Sequence, residues 1–445
     1  MSDEDLLPFL SDFDPPEQAE GSLDPLGLYA TADALGVLLA PGVRERQAHP
    51  RYLTLALVGQ VIAREVPPPT SLKSPPVWLA FEWLVVRCLV GELRAQKQST
   101  EGIPGSLKVT RTLQAGLPLC AETYLKTPSV FGFHGIYRVL GNKTGMFDAA
   151  GNILTAGADV LAGWQKDQQL AGFMRGDGPG VAFRRALVKA VRNAVEHRLV
   201  GDPPADLRQQ IVRHLHPLNP GDAECATLWR TIRGVEGNRA EFTRHLVSQT
   251  GQQAWNDHQP SEAAFFGWLK NQASGELRTL VVTLMAYEQF ARCLMDAFDE
   301  IRWRLTGTAA AVSAEWLGDG PAVGIAVREL GPLYRSAVEK LSLKDTLLGS
   351  RLERAFRWVL EADSGAAMVT GLLQHHQGIQ KGKPPNGKRS WFDFYSDGRL
   401  AIRPGYRVEI FQRQPAQFVH AYRTKPLWQF ATDLGQVEPL QMEQA

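Results

Sequence analysis

The sequence predicts a mainly α-helical, multi-domain protein that carries a winged-helix-like module and a small C-terminal β hairpin. Three observations lead there. Apolar residues recur every three or four positions over most of the chain, a glycine-punctuated stretch interrupts them between Gly102 and Lys166, and period-two alternation is confined to residues beyond Gly378. With 445 residues, 44% apolar and 21% charged, there is enough chain for roughly two to four packed domains.

Taken in order, residues 1–22 are acidic and Pro-containing, with Leu6, Leu7, Phe9, Leu10 and Phe13 set among carboxylates. This composition predicts a disordered tail, with a short segment that folds on a partner as the alternative. Residues 23–100 read as an N-terminal helical domain. A first helix follows Asp24 and stops at Pro41-Gly42, and a second begins near Pro50, with Tyr52, Leu53, Leu55, Leu57, Val58, Val61 and Ile62 marking its buried face. Beyond the Pro67-Pro68-Pro69 loop, Val77 to Leu93 is apolar on most sides, which predicts a core helix. Residues 101–170 hold the winged-helix-like module. Residues 171–377 read as a second helical domain, with helices at Ala182–Leu199, Ala205–His214, Ala223–Thr250, Glu262–Gln272 and Gly275–Leu305, and further ones between Pro321 and Leu373. No fixed repeat period runs through them, so a solenoid is not expected. Residues 378–445 form a basic, aromatic segment in which Trp391–Tyr395 and Arg399–Arg403 alternate around Ser396-Asp397-Gly398, the pattern of a β hairpin.

Composition narrows the function classes. The formal charge is +1, from 48 basic and 47 acidic side chains, so no global field draws the molecule onto nucleic acid or lipid and any such attraction must be local. Cys88, Cys120, Cys225 and Cys293 form no CxxC pair and sit in apolar or helical contexts, which predicts reduced thiols rather than disulfides or a zinc knuckle. The chain opens Met1-Ser2-Asp3-Glu4-Asp5 and carries only acidic charges through Glu20, unlike a signal peptide, and no apolar run approaches the roughly 18 to 20 residues of a bilayer span. A cytoplasmic location without a membrane partner is the expectation.

Two segments point to chemistry. In the first, Gly132 to Leu140 reads as a helix, Gly145-Met146-Phe147 closes it, Asp148 to Asn152 makes a short link, and Leu154-Thr155-Ala156-Gly157 opens a further helix through Leu161. The order resembles the second half of winged helix-turn-helix domains, in which the helix before the turn lies in the DNA major groove and the hairpin touches the backbone. The donors that such a helix needs would be His134, Arg138 and Lys143. Winged helices also serve as protein-protein modules.

In the second segment, Lys381, Lys383, Lys388, Arg389, Arg399, Arg403 and Arg407 face only Asp393 and Asp397, a local excess of five positive charges. Trp391, Phe392, Phe394, Tyr395 and Tyr406 are interleaved with them, and Pro384-Pro385-Asn386-Gly387 makes an exposed loop between lysines. Cations that track phosphates beside flat rings on which bases stack are a recurring design for single-stranded or distorted nucleic acid. The competing reading packs the aromatics on a neighbouring domain and leaves the charges to water. Against it, a regular hairpin would put Lys388, Ser390 and Phe392 on one face and Arg389, Trp391 and Asp393 on the other, with charges on both.

Other constellations are weaker. His375 and His376 are adjacent on a helix, diverge by about 100°, and so predict exposed or capping roles near its end rather than a shared metal. His214 and His216 lack a nameable third ligand. Asp296, Asp299 and Glu300 with Arg292, Arg302 and Arg304 read as a solvated face of ion pairs. Arg175-Gly176-Asp177-Gly178-Pro179-Gly180 has no Gly-Lys-Ser/Thr, and Pro179 removes an amide that a phosphate loop needs. Glu409 with Asp393 or Asp397 and Lys388 faintly suggests a metal-dependent nuclease. No cofactor or metal site and no catalytic residue is predicted.

Two sets of residues resemble uncharacterised bacterial proteins encoded among genome-defence (antiphage) and DNA-modification systems. One is Asp24-Pro25-Leu26-Gly27 with Leu39-Ala40-Pro41-Gly42 and His49-Pro50-Arg51-Tyr52; the other is Gly378-Ile379-Gln380-Lys381-Gly382-Lys383 leading to Trp391 and Asp397-Gly398-Arg399. The resemblance implies a bacterial defence component acting beside ATPase or nuclease subunits as an adaptor or sensor. The functional expectation is therefore a non-enzymatic, DNA-associated subunit, with a protein-protein scaffold and a metal-dependent nuclease as alternatives.

Overall fold

In the computed structural model the chain is described at residues 24–68, 71, 73–258 and 261–438; the acidic stretch 1–22 lies outside the described residues. Nineteen helices and one two-stranded antiparallel sheet are present among them, so the protein is mainly helical with a small hairpin near its C-terminal end. The chain divides into two compact units, one made of residues 24–36 and 257–422, the other of residues 37–256 and 423–438.

The second unit is organised by two helices. Tyr52–Ala63 is buried at ten of its twelve positions, and Val77–Ala95 is buried almost continuously from Leu79 to Val90. Such all-round apolarity requires neighbours on every side, and the helices Ser106–Gln114, Phe133–Lys143, Gly180–His197 and Ala205–Leu215 pack on Val77–Ala95, while Thr155–Asp167 packs on Tyr52–Ala63. Each large apolar side chain so buried contributes about 1.5–3 kcal/mol before chain entropy is set against it.

Arg51, fully buried at the start of the first of these helices, fixes the surrounding backbone. Its Nε donates to both carboxylate oxygens of Glu224 at 3.0 and 3.1 Å, one terminal nitrogen donates to His214 O at 3.1 Å, and the other donates to His216 O. His214 and His216 thus offer backbone carbonyls to a buried guanidinium rather than rings to a metal. The helix expected over Ala223–Thr250 is three helices, Asp222–Arg233, Gly237–Val247 and Gln249–His258. Gly234 turns at φ +76° and ends the first, and Ser248 is extended and ends the second.

The first unit is built on Gly275–Thr306, a 32-residue helix about 48 Å long. Pro321–Lys344 lies along it, Glu262–Gln272 packs beside it, and Gly365–Lys381 pairs with the short helix Ala314–Gly318. The hairpin pairs Phe392–Phe394 with Leu400–Ile402, Phe392 opposite Ile402 and Phe394 opposite Leu400. Val312 adds a single antiparallel rung from outside the two strands, exchanging two backbone hydrogen bonds with Leu400 at 3.0 and 2.8 Å.

The charges expected to form a solvated face on the long helix are instead buried in part. Asp296 is 4% exposed between Arg292 and Arg413, and Glu300 is 2% exposed and accepts Val323 N–H at 2.9 Å, capping the start of Pro321–Lys344. Among the described residues no helix is long and apolar enough to cross a membrane. The four cysteines are free, and burial pushes the thiols of Cys88 and Cys293 up to about 12.

Candidate nucleic-acid interface

The hairpin is held rigidly by what lies under it. Trp391, 6% exposed, stacks on Tyr406 with ring centroids 4.7 Å apart and planes 7° from parallel, and the Arg302 guanidinium sits 5.0 Å over the same indole. Phe298 and His376 complete the packing around Trp391 and Phe392. Trp391, expected as a stacking surface, is therefore an anchor of the hairpin. The exposed rings are Phe394 and Tyr395, 42% and 50% accessible, at the tip beside the Ser396-Asp397-Gly398 turn.

The seven cations divide into three kinds. Arg399 pairs with Asp397 at 2.7 Å and Arg403 with Asp393 at 2.8 Å, so both carboxylates of the segment are occupied. Lys383 donates from Nζ to Asp24 O at 2.8 Å. Lys381, Lys388, Arg389 and Arg407 are exposed, and among the described residues no carboxylate pairs with any of them. Glu409 is exposed, and no group of three or more His, Cys, Asp or Glu side chains fit to hold a metal ion is present among the described residues.

Beneath this surface, His375 and His376 do something that adjacent helical histidines did not suggest. His376 is fully buried; its Nδ1–H donates to Pro25 O at 2.8 Å and its Nε2 accepts Trp391 N–H at 3.1 Å. His375 Nε2 donates to Leu26 O at 2.8 Å, and Tyr287 OH donates to Leu28 O at 2.5 Å. Gly27 lies against Ile379, where a β-carbon would stand 2.7 Å from Cδ1. The segment 24–28 is thus fastened carbonyl by carbonyl to the helix Gly365–Lys381 and its neighbours. Two stretches singled out in the sequence, Asp24–Gly27 and Gly378–Lys383, meet here.

In the other unit, the segment 132–164 forms the helix Phe133–Lys143, an antiparallel bridge between Phe147 and Ile153, and the helix Thr155–Asp167. The first of these helices begins on a carboxylate from elsewhere: Glu82, fully buried in Val77–Ala95, accepts His134 N–H and Tyr124 O–H, each at 2.9 Å. Burial pushes this carboxyl up to about 7, against the pull of those two donors. Sequence reasoning missed Glu82, although it is the only acidic residue between Val77 and Val90 and a carboxylate in an apolar run is itself a signal.

His134 and Arg138 lie one turn apart on one face and line a cleft of about 240 Å³ with Gln60, Trp78 and the loop 147–151. The His134 ring stacks on Trp78 with centroids 4.7 Å apart and planes 17° from parallel, and burial pushes its pKa down to about 4, so the ring is neutral near pH 7. Arg138 is exposed and bonds Ala149 O at 3.3 Å. Lys143 is exposed too but rotated about 180° around the helix from His134, so it does not join the cleft. Compared with known protein families, curated proteins and solved structures, the chain matches none.

Proposed function

We propose that this chain is a non-enzymatic, DNA-associated component, an adaptor or sensor, of a bacterial antiphage or genome-defence complex that works in the cytoplasm beside ATPase or nuclease subunits. The observation that carries the nucleic-acid reading is that Lys381, Lys388, Arg389 and Arg407 are exposed without a carboxylate partner among the described residues, in the same segment that exposes the rings of Phe394 and Tyr395. Such cations displace the counterions condensed on phosphates, and bases stack on such rings without regard to sequence. The buried Trp391 stack and the Val312 rung support the reading by holding the surface on a stiff frame. Support for a winged-helix-like module in residues 101–170 comes from the order helix, short antiparallel bridge, helix over Phe133–Asp167, with Arg138 exposed on the first of the two helices. The defence setting rests on the resemblance of the two motif sets described above.

Fluorescence anisotropy with labelled single- and double-stranded DNA at low salt tests the proposal. The wild type is expected to bind, and Lys381→Glu/Lys388→Glu/Arg389→Glu/Arg407→Glu is expected to lose binding while its circular dichroism stays unchanged. A wild type that binds neither form of DNA would put a protein-protein scaffold in first place.

A further inference from the structure

The cleft beside Phe133–Lys143 differs in kind from the charged surface of the hairpin. We infer that it is a pocket for a single unstacked nucleobase whose phosphate is held by Arg138. The inference rests on the nucleic-acid reading and deepens it, because it names an unpaired nucleotide as the form that this unit takes.

Three features of the cleft converge on that ligand. One wall is aromatic: the stacked pair of Trp78 and His134 is half-buried, and with its charge suppressed by burial the imidazole is a flat neutral ring, suited to stacking rather than to ion pairing. Beside it stands an unused amide. Gln60 lines the cleft, and among the described residues its side chain has no hydrogen-bond partner. An amide presents a donor and an acceptor together, the pairing that reads a base edge. The third feature is Arg138. Its guanidinium makes one hydrogen bond, to Ala149 O, and the nearby Asp148 carboxylate is taken up by Ala150 N, Asn152 N and Asn152 Nδ2. Arg138 therefore keeps donors for an anion, and a guanidinium matches a phosphate bidentately.

The shape agrees. About 240 Å³ is below the roughly 300 Å³ at which drug-sized sites begin, and suits one base with part of its sugar. Gly151 (φ +87°) brings the loop onto Gln60, where a β-carbon would stand 2.6 Å from the amide oxygen. A side chain at 151 would press on the amide.

The same chemistry can arrive from two sources, a nucleotide within a strand or a free mononucleotide, and the experiment separates them. The full-length protein is photo-crosslinked to a single-stranded oligonucleotide carrying 5-iododeoxyuridine and to the same oligonucleotide fully paired, with the crosslinked peptides mapped by mass spectrometry. In parallel, the four deoxynucleoside monophosphates are titrated calorimetrically. The expected result is a crosslink from the single strand, but not the duplex, to the peptide holding Trp78 or His134, about tenfold weaker in Arg138→Ala and in Gln60→Ala. Mononucleotide binding lost in the same two variants would also support the pocket and make the free nucleotide its source. Crosslinks confined to Phe394 and Tyr395, with no mononucleotide bound, would overturn the pocket and leave the hairpin reading standing. Absence of any crosslink and of any mononucleotide binding would overturn the pocket, and absence of binding in the anisotropy experiment would separately remove the nucleic-acid reading. Both variants replace partly exposed side chains, and Gln60→Glu provides a near-isosteric check that reverses the amide donor without opening the core.

Discussion

His376 makes two hydrogen bonds that an imidazolium cannot keep together, because it would still donate from Nδ1 to Pro25 O but a proton on Nε2 would oppose Trp391 N–H. Burial accordingly pushes its pKa down to about 4, below the ordinary value near 6.5. Between those values the unfolded chain takes up a proton that the folded chain refuses. The stabilising contribution of neutral His376 is therefore complete above about pH 6.5 and is lost as the pH falls toward 4. Calorimetry should show the Tm gap between wild type and His376→Gln narrowing from about pH 7.5 to about pH 5; a gap independent of pH would contradict the assignment. Glu82 carries the opposite sign. Its folded pKa of about 7 lies above the unfolded value, so its contribution is complete below about pH 4.5 and is lost as the pH rises through 7. Glu82→Gln keeps an acceptor for His134 N–H and removes the titration. Its stability relative to wild type should increase from about pH 5 to about pH 8, and a relative stability that does not change would show that Glu82 is ionised throughout.

At the scale of elements, the helices were legible where one face alternates with water, as in Gly275–Thr306, or where a long apolar run leaves no polar face, as in Val77–Ala95. The hairpin was legible from its alternation and turn residues. The Val312 rung was not, because Val312 lies far from Leu400 in sequence and a single bridging residue has no periodicity. The division of Ala223–Thr250 was hidden for a related reason: the apolar spacing continues across Gly234 and Ser248, where the backbone leaves the helix. Candidate side chains were legible by type, but their partners were not. Trp391 looked like a free ring and is an anchor, Asp296 and Glu300 looked solvated and are buried, and His375 and His376 each find a backbone carbonyl from a segment some 350 residues earlier. Arg51 is the clearest such case. It joins the start of Tyr52–Ala63 to the carbonyls of His214 and His216 and to the helix Asp222–Arg233 through Glu224. Glu224→Ala leaves that guanidinium buried without its counter-charge and should cost about 3–5 kcal/mol, whereas Arg51→Met/Glu224→Leu should recover much of the loss. Urea denaturation followed by tryptophan fluorescence measures both; a double variant no more stable than Glu224→Ala would contradict the account of this contact.

For the whole molecule, the central fact is a near-neutral chain with an uneven surface. With a formal charge of +1, no global field draws the protein to a polyanion, so any binding must come from local groups, which the proposal places at Lys381, Lys388, Arg389 and Arg407 with the exposed rings of Phe394 and Tyr395. That makes the salt dependence of binding the most direct measurement. The affinity for a single-stranded oligonucleotide, plotted as log K against log salt concentration, should fall with a slope of about −3, since each of Lys381, Lys388, Arg389 and Arg407 contributes about −0.7. Lys388→Ala/Arg389→Ala should make that slope shallower by about 1.4 units. A slope near zero, or one unchanged in the double variant, would contradict the claim that this surface is where the protein meets nucleic acid.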